Sequence, residues 1–363
     1  MAAHSEPRTP PGRLALIGPL PPPSGGMANQ TLQLARLLQG EGVRVEIVQV
    51  NAPYRPAWTG RVPVLRAAFR LLPYLHRLWC AAGRNQLFHI MANSGWSWHL
   101  FAAPAIWIAR LRGIPAVVNY RGGEAEPFLR KSAGAVRFSM RRAAALAVPS
   151  GFLREVFARF GVDARIVPNI IDLEKFHAGN AHPAGIHVLV ARNLEPLYDI
   201  ASALRAFALL RERHAGARMS VAGSGPERNH LERLAEELGI GGRVRFTGRL
   251  DSEAMAVLYR EATLSLNPSL ADNMPNSVLE ALACGLPVVS TDVGGVPHLV
   301  RHEHTALLVK PGDAEGMAQA MIRLIEDETL RANLIRNGSE HVRAFTWERV
   351  GEKWMGLYRE VLA

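Results

Sequence analysis

Short apolar segments alternate with longer segments of helical periodicity along the chain. Strands are predicted over residues 13–18, 43–50, 87–91, 116–120, 145–148 and 165–167 in the first half, and over 187–191, 219–222 and 244–247 in the second. Helices are predicted over residues 27–39, 200–212 and 228–238. Apolar strands separated by helices are typical of parallel sheets that are covered on both faces. The pattern therefore predicts an α/β fold with two doubly wound, Rossmann-like sheets.

With 363 residues, the chain is too long for one ordinary core and suits two domains. We predict a first domain over residues 13–172, a hinge over 173–185 and a second domain over 186–345, where the order of elements restarts. Residues 1–12 are polar and rich in proline, which predicts a disordered extension. Residues 346–363 predict an aromatic-rich C-terminal helix.

Positive charge is concentrated in the first half of the chain. Residues 1–180 hold 22 Lys and Arg against 9 Asp and Glu, whereas the remaining residues hold 20 against 23. The first domain is therefore expected to meet an anionic partner. Two cysteines, Cys80 and Cys284, lack metal-ligand spacing and favour a reducing compartment over a disulfide framework.

Two carboxylates eight positions apart, Asp272 and Glu280, stand on either side of a predicted helix start. Pro275 excludes an earlier helix, and Asn276 is a favourable N-cap for a helix over residues 277–284. A strand is predicted next, over residues 286–291, so the helix should begin near the carboxyl edge of a parallel sheet.

The chemistry of this helix start favours a ligand with phosphate and hydroxyl groups. Free backbone N–H groups and the positive end of the helix dipole favour a phosphate, and the two carboxylates can accept hydrogen bonds from hydroxyls. A phosphate joined to polyols suggests a nucleotide sugar. The spacing of two acids is weak evidence on its own, because helix carboxylates are usually solvated.

Further motifs occur in a fixed order across nearly the whole chain. They are Gly25-Gly26, PNIID at 168–172, VAGSGP at 221–226, VRFTG at 244–248, the acid-bearing segment 267–295 and GGVP at 294–297. Together they resemble the retaining glycosyltransferases of family 4, with Asp272 in place of the usual first glutamate. The resemblance implies the GT-B architecture, in which two Rossmann-like domains face each other across a cleft and the C-terminal helix crosses back to the first domain.

The resemblance also implies roles for individual residues. Arg192 would bind the donor diphosphate, Asp272 would orient the transferred sugar, and Glu280 would hold the ribose. The other donor-binding residues that it implies are Gly25, Gly26, Thr247, Gly248, Arg249, Leu250, Asn273, Met274, Pro275, Asn276 and Ser277. In such enzymes the leaving phosphate oxygen takes the acceptor's proton, and neither a metal ion nor a cofactor is expected.

The chain departs from the family pattern at several positions. Leu197 stands where the family usually has a lysine, and His298 replaces a common glutamate. A charge-assisted contact contributes roughly 1.5 to 3 kcal/mol, so another cation is expected to replace the lysine. We predict that Arg121, together with Tyr120 at the end of a strand, binds the phosphate or the acceptor. Membership of an ordinary basic surface is the alternative for Arg121.

Two basic amphipathic helices are predicted in the first domain, over residues 63–80 and 128–142. One hypothesis is docking on an anionic membrane surface through basic and aromatic side chains. The residues assigned to that surface are Arg66, Arg70, Arg77, Trp79, Arg130 and Lys131. The alternative is a pair of ordinary helices with solvated arginines. Nucleic acid is disfavoured because no recognised binding module occurs.

These observations lead to the expectation of a metal-independent retaining glycosyltransferase. The partners would be a nucleotide sugar and a lipid-linked or growing saccharide acceptor, at the cytosolic face of a membrane, in the synthesis of envelope or extracellular polysaccharide. Two alternatives remain open: a nucleotide-sugar 2-epimerase with the same fold, and a catalytically weak subunit that binds sugar nucleotides. The longest apolar run, residues 100–109, is well short of the roughly 20 residues of a membrane span.

Overall fold

The computed structural model describes residues 11–22, 26–53, 63–179 and 185–363, and within the third range it describes side chains from Phe69 onward. The chain divides into two compact units. Unit 1 consists of Met1–Asn169 and Val350–Ala363, and unit 2 consists of Ile170–Arg349. Most of the predicted disordered extension, residues 1–10, lies outside the described residues. The described part of the predicted hinge, 173–179 and 185, belongs to unit 2.

Unit 1 is an α/β unit built on a parallel sheet. Its strands are β1 (Arg13–Gly18), β2 (Arg44–Gln49), β3 (Leu87–Ala92), β4 (Ala116–Tyr120), β5 (Ala145–Val148) and β6 (Arg165–Ile166). Its helices are α1 (Gly26–Gly40), α2 (Pro63–Ala82), α3 (Ala103–Leu111), α4 (Ala125–Met140) and α5 (Gly151–Arg159). The strand order is β2-β1-β3-β4-β5-β6, and every residue of β3 and β4 is buried.

Unit 2 repeats this architecture with a second parallel sheet. Its strands are β7 (His187–Ala191), β8 (Arg218–Ala222), β9 (Val244–Gly248), β10 (Leu264–Asn267), β11 (Val288–Thr291) and β12 (Leu307–Val309). Its helices are α6 (Ile200–Arg213), α7 (Arg228–Glu237), α8 (Ser252–Glu261), α9 (Asn276–Ala283), α10 (Val296–Leu299), α11 (Ala314–Glu326) and α12 (Glu328–His341). The strand order is β12-β11-β10-β7-β8-β9.

The prediction of two doubly wound α/β sheets is confirmed. A last helix, α13 (Trp347–Leu362), follows unit 2 in sequence, and its residues from Val350 onward belong to unit 1. In that unit Tyr358 contacts the ring of His89 on β3, with 2.7 Å between the tyrosine oxygen and Nδ1. Among the described residues, no helix combines the length and the hydrophobicity that crossing a membrane requires.

The start of α9 corrects one sequence prediction. Asn276 was predicted to be the N-cap, but it is the first helical residue, and Pro275 occupies the cap position. The reason is that the Pro275 carbonyl already accepts the first helical hydrogen bonds, from the backbone N–H of Val278 at 3.2 Å and of Leu279 at 3.3 Å. The strand predicted from residue 286 is also shorter, because β11 begins at Val288.

Candidate active site

Arg192 lies at the carboxyl edge of the unit 2 sheet. It directly follows β7, and Asn267 ends the neighbouring parallel strand β10. The Arg192 Nε donates a hydrogen bond to Asn267 Oδ1 at 2.7 Å. Asn267 in turn donates from Nδ2 to the Ser290 hydroxyl on β11 at 2.8 Å. Asn267 therefore holds the guanidinium and is itself held by Ser290 on the next strand, at the edge where parallel sheets bind ligands.

The Arg192 guanidinium also pairs with the Asp272 carboxylate. The arginine donates to Asp272 Oδ2, and the two side chains are only 12% and 13% exposed. Asp272 Oδ1 accepts a hydrogen bond from the Asn273 backbone N–H at 2.9 Å. Burial raises the pKa of the Asp272 carboxyl, and the Arg192 charge opposes that shift. The structure thus joins two of the predicted catalytic residues in one largely buried ion pair.

The segment Gly294-Gly295 fixes the loop that carries Asp272. The Gly295 N–H donates to the Asp272 carbonyl at 2.9 Å. A Cβ atom on Gly295 would lie 1.8 Å from the Asn273 carbonyl oxygen, which is far inside any normal contact. Only glycine permits this approach, so the Gly-Gly turn acts as a backbone support for the acid.

A second glycine-containing loop supports the backbone of Arg192. The Arg192 N–H donates to the Ala222 carbonyl at 3.0 Å, and the Leu194 N–H donates to the Ser224 carbonyl at 3.1 Å. A Cβ atom on Gly223 would lie 1.9 Å from the Arg192 carbonyl oxygen. The motif at 221–226 therefore packs directly against the arginine.

Glu280, the second predicted acid, lies on α9 and belongs to the same cluster. The Tyr259 hydroxyl donates to Glu280 Oε2 at 3.0 Å. Burial raises the pKa of the Glu280 carboxyl to about 7, while the Tyr259 hydrogen bond and the Arg192 charge both lower it. The Arg192 charge therefore favours the ionised form of both acids, as expected of a cation in their neighbourhood.

The residues between the two acids form the start of α9. Asn273, Met274 and Pro275 are buried, whereas Asn276 and Ser277 are partly exposed. The Ser277 Oγ atom is buried and has no hydrogen-bond partner within the described residues. The first turn of α9 therefore begins four residues after Asp272 in the sequence.

The predicted base-flanking segment, residues 247–250, lies at the same edge of the sheet. It comprises the last two residues of β9 and the two residues after them, and β9 is two strands away from β7. Neighbouring strands are about 4.8 Å apart, so this segment is about 10 Å from the strand that leads into Arg192. The Gly223 N–H donates to the Gly248 carbonyl at 2.9 Å, which links the segment to the Arg192 support loop. Arg249 is exposed, and Thr247, Gly248 and Leu250 are partly buried.

Tyr120 ends β4 in unit 1, and Arg121 directly follows it. Tyr120 is fully buried, lies 2.6 Å from the Ser94 hydroxyl, and has a pKa raised to about 12, mainly by burial. Arg121 donates to the amide oxygens of Asn119 and Gln30, both at 2.8 Å, and to that of Asn169. Desolvation lowers the Arg121 pKa to about 10, so the guanidinium remains charged at neutral pH.

The structure describes only one of the two predicted glycines at positions 25 and 26. Gly25 lies outside the described residues, and Gly26 is the exposed first residue of α1. Within the described ranges, no group of three or more His, Cys, Asp or Glu side chains has the arrangement of a metal site.

Comparison with known families gives the assignment. The family described as "Glycosyltransferase Family 4" matches residues 24–175, and "Glycosyl transferases group 1" matches residues 174–341. The two matches together span residues 24–341, which is most of the chain, and include every residue of the cluster above. The chain belongs to the family 4 glycosyltransferases.

Relatives of this family 4 protein include a D-inositol 3-phosphate glycosyltransferase of Saccharomonospora viridis, which is 36% identical over 55% of this chain and 50% of its own length. A phosphatidyl-myo-inositol mannosyltransferase of Mycolicibacterium smegmatis is 27% identical over 93% of this chain and 90% of its own. The chain spans about half the length of the first group of curated relatives that it matches.

Solved structures show the same fold. Sucrose-phosphate synthase from Thermosynechococcus elongatus superposes with a TM-score of 0.79 at 23% identity, covering 96% of this chain and 98% of that one. Anabaena HepE, solved in complex with UDP and glucose, gives 0.73 at 18% identity, covering 95% and 98%. The family 4 protein therefore has the GT-B class of α/β fold that the sequence predicted.

The residues assigned to a membrane-facing surface lie on α2 and α4 of the family 4 protein. Arg77 and Trp79 are exposed on α2, and Arg130 and Lys131 are exposed on α4. Arg130 forms an ion pair with Glu126 at 2.8 Å. Arg70 is partly buried, and the Arg66 side chain lies outside the described part of the structure.

Three residues of the cluster escaped the sequence analysis of this family 4 protein. Asn267 and Tyr259 hold Arg192 and Glu280 by hydrogen bonds, and the Tyr198 ring lies 5.2 Å from the Arg192 guanidinium carbon. Tyr198 directly follows Leu197, which stands where the family usually has a lysine. That departure from the family pattern could have drawn attention to this part of the chain. Tyr259 lies in an ordinary amphipathic helix, and no sequence pattern distinguishes it from a core residue.

Proposed function

We propose that this protein is a retaining, metal-independent glycosyltransferase that moves a sugar from a nucleoside-diphosphate sugar to a lipid-linked or saccharide acceptor. The observation that carries the proposal is the convergence of Arg192, Asp272 and Glu280 at the carboxyl edge of one parallel sheet. A guanidinium suits a diphosphate, and carboxylates suit sugar and ribose hydroxyls.

The proposed division of labour follows from charge. Departure of a nucleoside diphosphate places negative charge on the leaving oxygen, and Arg192 with the N–H groups at the start of α9 would stabilise that charge. Asp272 and Glu280 would orient hydroxyls of the sugar and the ribose. The leaving phosphate oxygen would accept the proton from the acceptor hydroxyl on the same face of the sugar, which gives retention of configuration.

The relatives support the class of substrate. One is named as a phosphatidyl-myo-inositol mannosyltransferase, and another as a D-inositol 3-phosphate glycosyltransferase. Structures of HepE are described with UDP and with UDP-glucose. Lipid-linked or phosphorylated acceptors and a nucleotide-sugar donor are therefore the first to test here, with assembly of a cell-envelope or extracellular polysaccharide as the proposed biological role.

The acceptor proposal includes docking of unit 1 on the cytosolic face of an anionic membrane. Trp79, on α2, is 46% exposed and carries the Arg112 guanidinium 4.8 Å from its ring centroid. On α4, Phe138 is 53% exposed and Arg142 lies 4.0 Å from its ring centroid. Exposed aromatic rings paired with arginines suit the boundary between lipid headgroups and acyl chains.

The decisive experiment incubates the purified protein with radiolabelled nucleotide sugars, with and without membrane lipid, in EDTA. Transfer of label to lipid or saccharide, with the donor's anomeric configuration kept in the product, is the expected result. Formation of a 2-epimer would assign the alternative epimerase activity. Binding without turnover across all donors and acceptors would instead support the weak sugar-nucleotide-binding subunit. The absence of the family lysine at Leu197 is the observation that favours this alternative.

A further inference from the structure

Tyr259 lies on α8, outside every segment that matched a family motif in the sequence. Its side chain is fully buried. Its ring packs edge-on against Phe176, with centroids 6.1 Å apart and planes at 78°. The hydroxyl lies 3.0 Å from Glu280 Oε2 and 3.1 Å from the Ser277 carbonyl. The packed ring thus presents one phenolic O–H group to two acceptors on α9.

The two carboxylate oxygens of Glu280 have different environments. Oε2 accepts the Tyr259 hydrogen bond. Oε1 accepts no hydrogen bond from the described residues, and the Glu280 residue is partly exposed, so this oxygen is open to a ligand. One oxygen is therefore held by the protein, and the other is presented outward.

The inference drawn from this difference rests on the proposed function, in which Glu280 binds the ribose. It gives a role to Tyr259, to which the proposed function assigns none. We propose that Tyr259 is a positioning residue that holds Glu280 Oε2, so that Oε1 faces the hydroxyl groups of the nucleoside in the donor. The carboxylate can rotate about its last bond at little cost, and the fixed phenol removes that freedom. A carboxylate held in the right orientation binds a pair of hydroxyls more tightly than one that must first be ordered.

The same hydrogen bond favours the ionised form of Glu280. Burial opposes ionisation, whereas Tyr259 from α8 and Arg192 from the end of β7 favour it. Cys284 lies one turn along α9 and is itself affected by the Glu280 charge. Ionised carboxylates accept stronger hydrogen bonds than neutral ones. Loss of the Tyr259 hydroxyl should therefore shift the pH range over which the nucleotide binds tightly.

The test compares Tyr259→Phe with the wild-type protein. Affinity for UDP and for GDP is measured by calorimetry across the neutral pH range, and the titration of the Glu280 carboxyl is followed by carbon NMR, with Glu280→Gln to assign its signal. The Glu280→Gln profile also supplies the pH dependence of the nucleotide's own phosphate. The matched control is Tyr74→Phe, because Tyr74 is a buried tyrosine whose hydroxyl donates to the Phe101 carbonyl at 2.8 Å in unit 1.

The expected result is an upward shift of the Glu280 midpoint by about one pH unit in Tyr259→Phe, with tenfold weaker binding on the acid side, since one pKa unit is about a factor of ten. Tyr74→Phe should change neither the Glu280 midpoint nor the nucleotide affinity. An unshifted NMR midpoint with unchanged nucleotide affinity in Tyr259→Phe would overturn the proposal. If neither nucleotide binds the wild-type protein, the proposed function fails, and the NMR titration alone still decides whether Tyr259 controls Glu280.

Discussion

Arg192 and Asp272, eighty positions apart in sequence, form an ion pair that is almost closed to solvent. A diphosphate that binds Arg192 must therefore share the guanidinium with a carboxylate of like charge. Asp272 both holds the arginine in place and competes for it. In the proposed site, the strength of donor binding would therefore depend on the ionisation of Asp272.

Neutralising Asp272 should tighten the binding of a nucleoside diphosphate. In Asp272→Asn the amide oxygen can still accept from Arg192, but the competing charge is gone. We expect UDP or GDP to bind about tenfold more tightly, within the range of one charge-assisted hydrogen bond, while sugar transfer falls. Arg192→Ala should weaken binding by at least as much. Calorimetric titration checks both.

The control for this prediction is Asp292→Asn, which removes one exposed carboxylate from the same unit. Its affinity for the nucleotide should stay within about twofold of wild type, because screened surface charges contribute little. Weaker binding in Asp272→Asn would show that the carboxylate acts only as a support for Arg192.

Stability should depend on pH through Glu280. Its pKa in the folded protein, about 7, is above the ordinary 4.5, so folding strengthens its hold on the proton. Its stabilising contribution is present below the unfolded pKa and is lost as the pH rises through the folded pKa. Relative to wild type, Glu280→Gln should therefore gain free energy of unfolding between about pH 5 and about pH 8, by up to about 3 kcal/mol.

Urea unfolding at the two pH values measures this gain. The control is Glu303→Gln, because Arg323 holds the pKa of that exposed carboxyl below its usual range and the sign is opposite. A difference between Glu280→Gln and wild type that does not change with pH would contradict the prediction.

Gly295 should be the least replaceable residue of the site. In Gly295→Ala the added methyl would meet the Asn273 carbonyl at 1.8 Å, so the loop that carries Asp272 has to move. We expect loss of transfer and a stability loss of at least about 2 kcal/mol, typical of forced overpacking. Gly216→Ala, with open space around its Cβ position, is the matched control and should retain nucleotide binding. Thermal unfolding and calorimetry separate the two effects.

The sequence predicted ten of the twelve strands in the described residues, because these are apolar runs with sharp ends, but it missed β10 (Leu264–Asn267) and β12 (Leu307–Val309). β4 (Ala116–Tyr120) and β7 (His187–Ala191) occupy the predicted residues. Pro115 and Arg121 flank β4, and Arg192 follows β7, which leaves little freedom in placing those ends. The start of α9 was misplaced by one residue because a proline carbonyl can accept the first helical hydrogen bonds as readily as an asparagine cap can.

The candidate site was predictable only where its residues lie in a motif. Arg192 and Glu280 were found by spacing and resemblance. That Arg192 pairs with Asp272, and that Tyr259 holds Glu280, depends on strand order and on the packing of α8 against α9. Neither relation is encoded locally, because the partners are separated by 80 and 21 positions.

Binding of unit 1 to membranes should depend on the arginines that stack on exposed rings. Each basic residue near an anionic surface contributes about 1 kcal/mol, so Arg112→Ala with Arg142→Ala should weaken binding by roughly 30-fold. Co-sedimentation with phosphatidylcholine vesicles, with and without phosphatidylglycerol, measures this, and binding should fall as salt rises. Arg336→Ala, an exposed arginine of unit 2, is the control. Equal loss of membrane binding in the control and in the Arg112→Ala/Arg142→Ala variant, or binding that does not depend on phosphatidylglycerol, would favour the alternative of ordinary helices with solvated arginines.

Introducing a lysine at position 197, where the family usually has one, tests whether another cation already supplies that charge. Leu197 is half-buried, and its carbonyl accepts a hydrogen bond from the Leu270 N–H at 2.9 Å, two residues before Asp272. Position 197 is therefore joined by its backbone to the loop that carries Asp272. We expect Leu197→Lys to tighten UDP or GDP binding by about tenfold, the contribution of one added charge-assisted contact. Leu197→Met, which has similar length and no charge, should leave the affinity unchanged.

The same substitution decides the role of Arg121. If Arg121 supplies the missing cation, Arg121→Gln should weaken nucleotide binding and Leu197→Lys should restore it in the double variant. If Arg121 serves only its hydrogen bonds to Gln30, Asn119 and Asn169 within unit 1, Arg121→Gln should lower stability and leave nucleotide affinity intact. Measuring affinity and thermal unfolding in the same four proteins separates the two roles, because a loss of affinity alone indicates binding and a loss of stability alone indicates structural support.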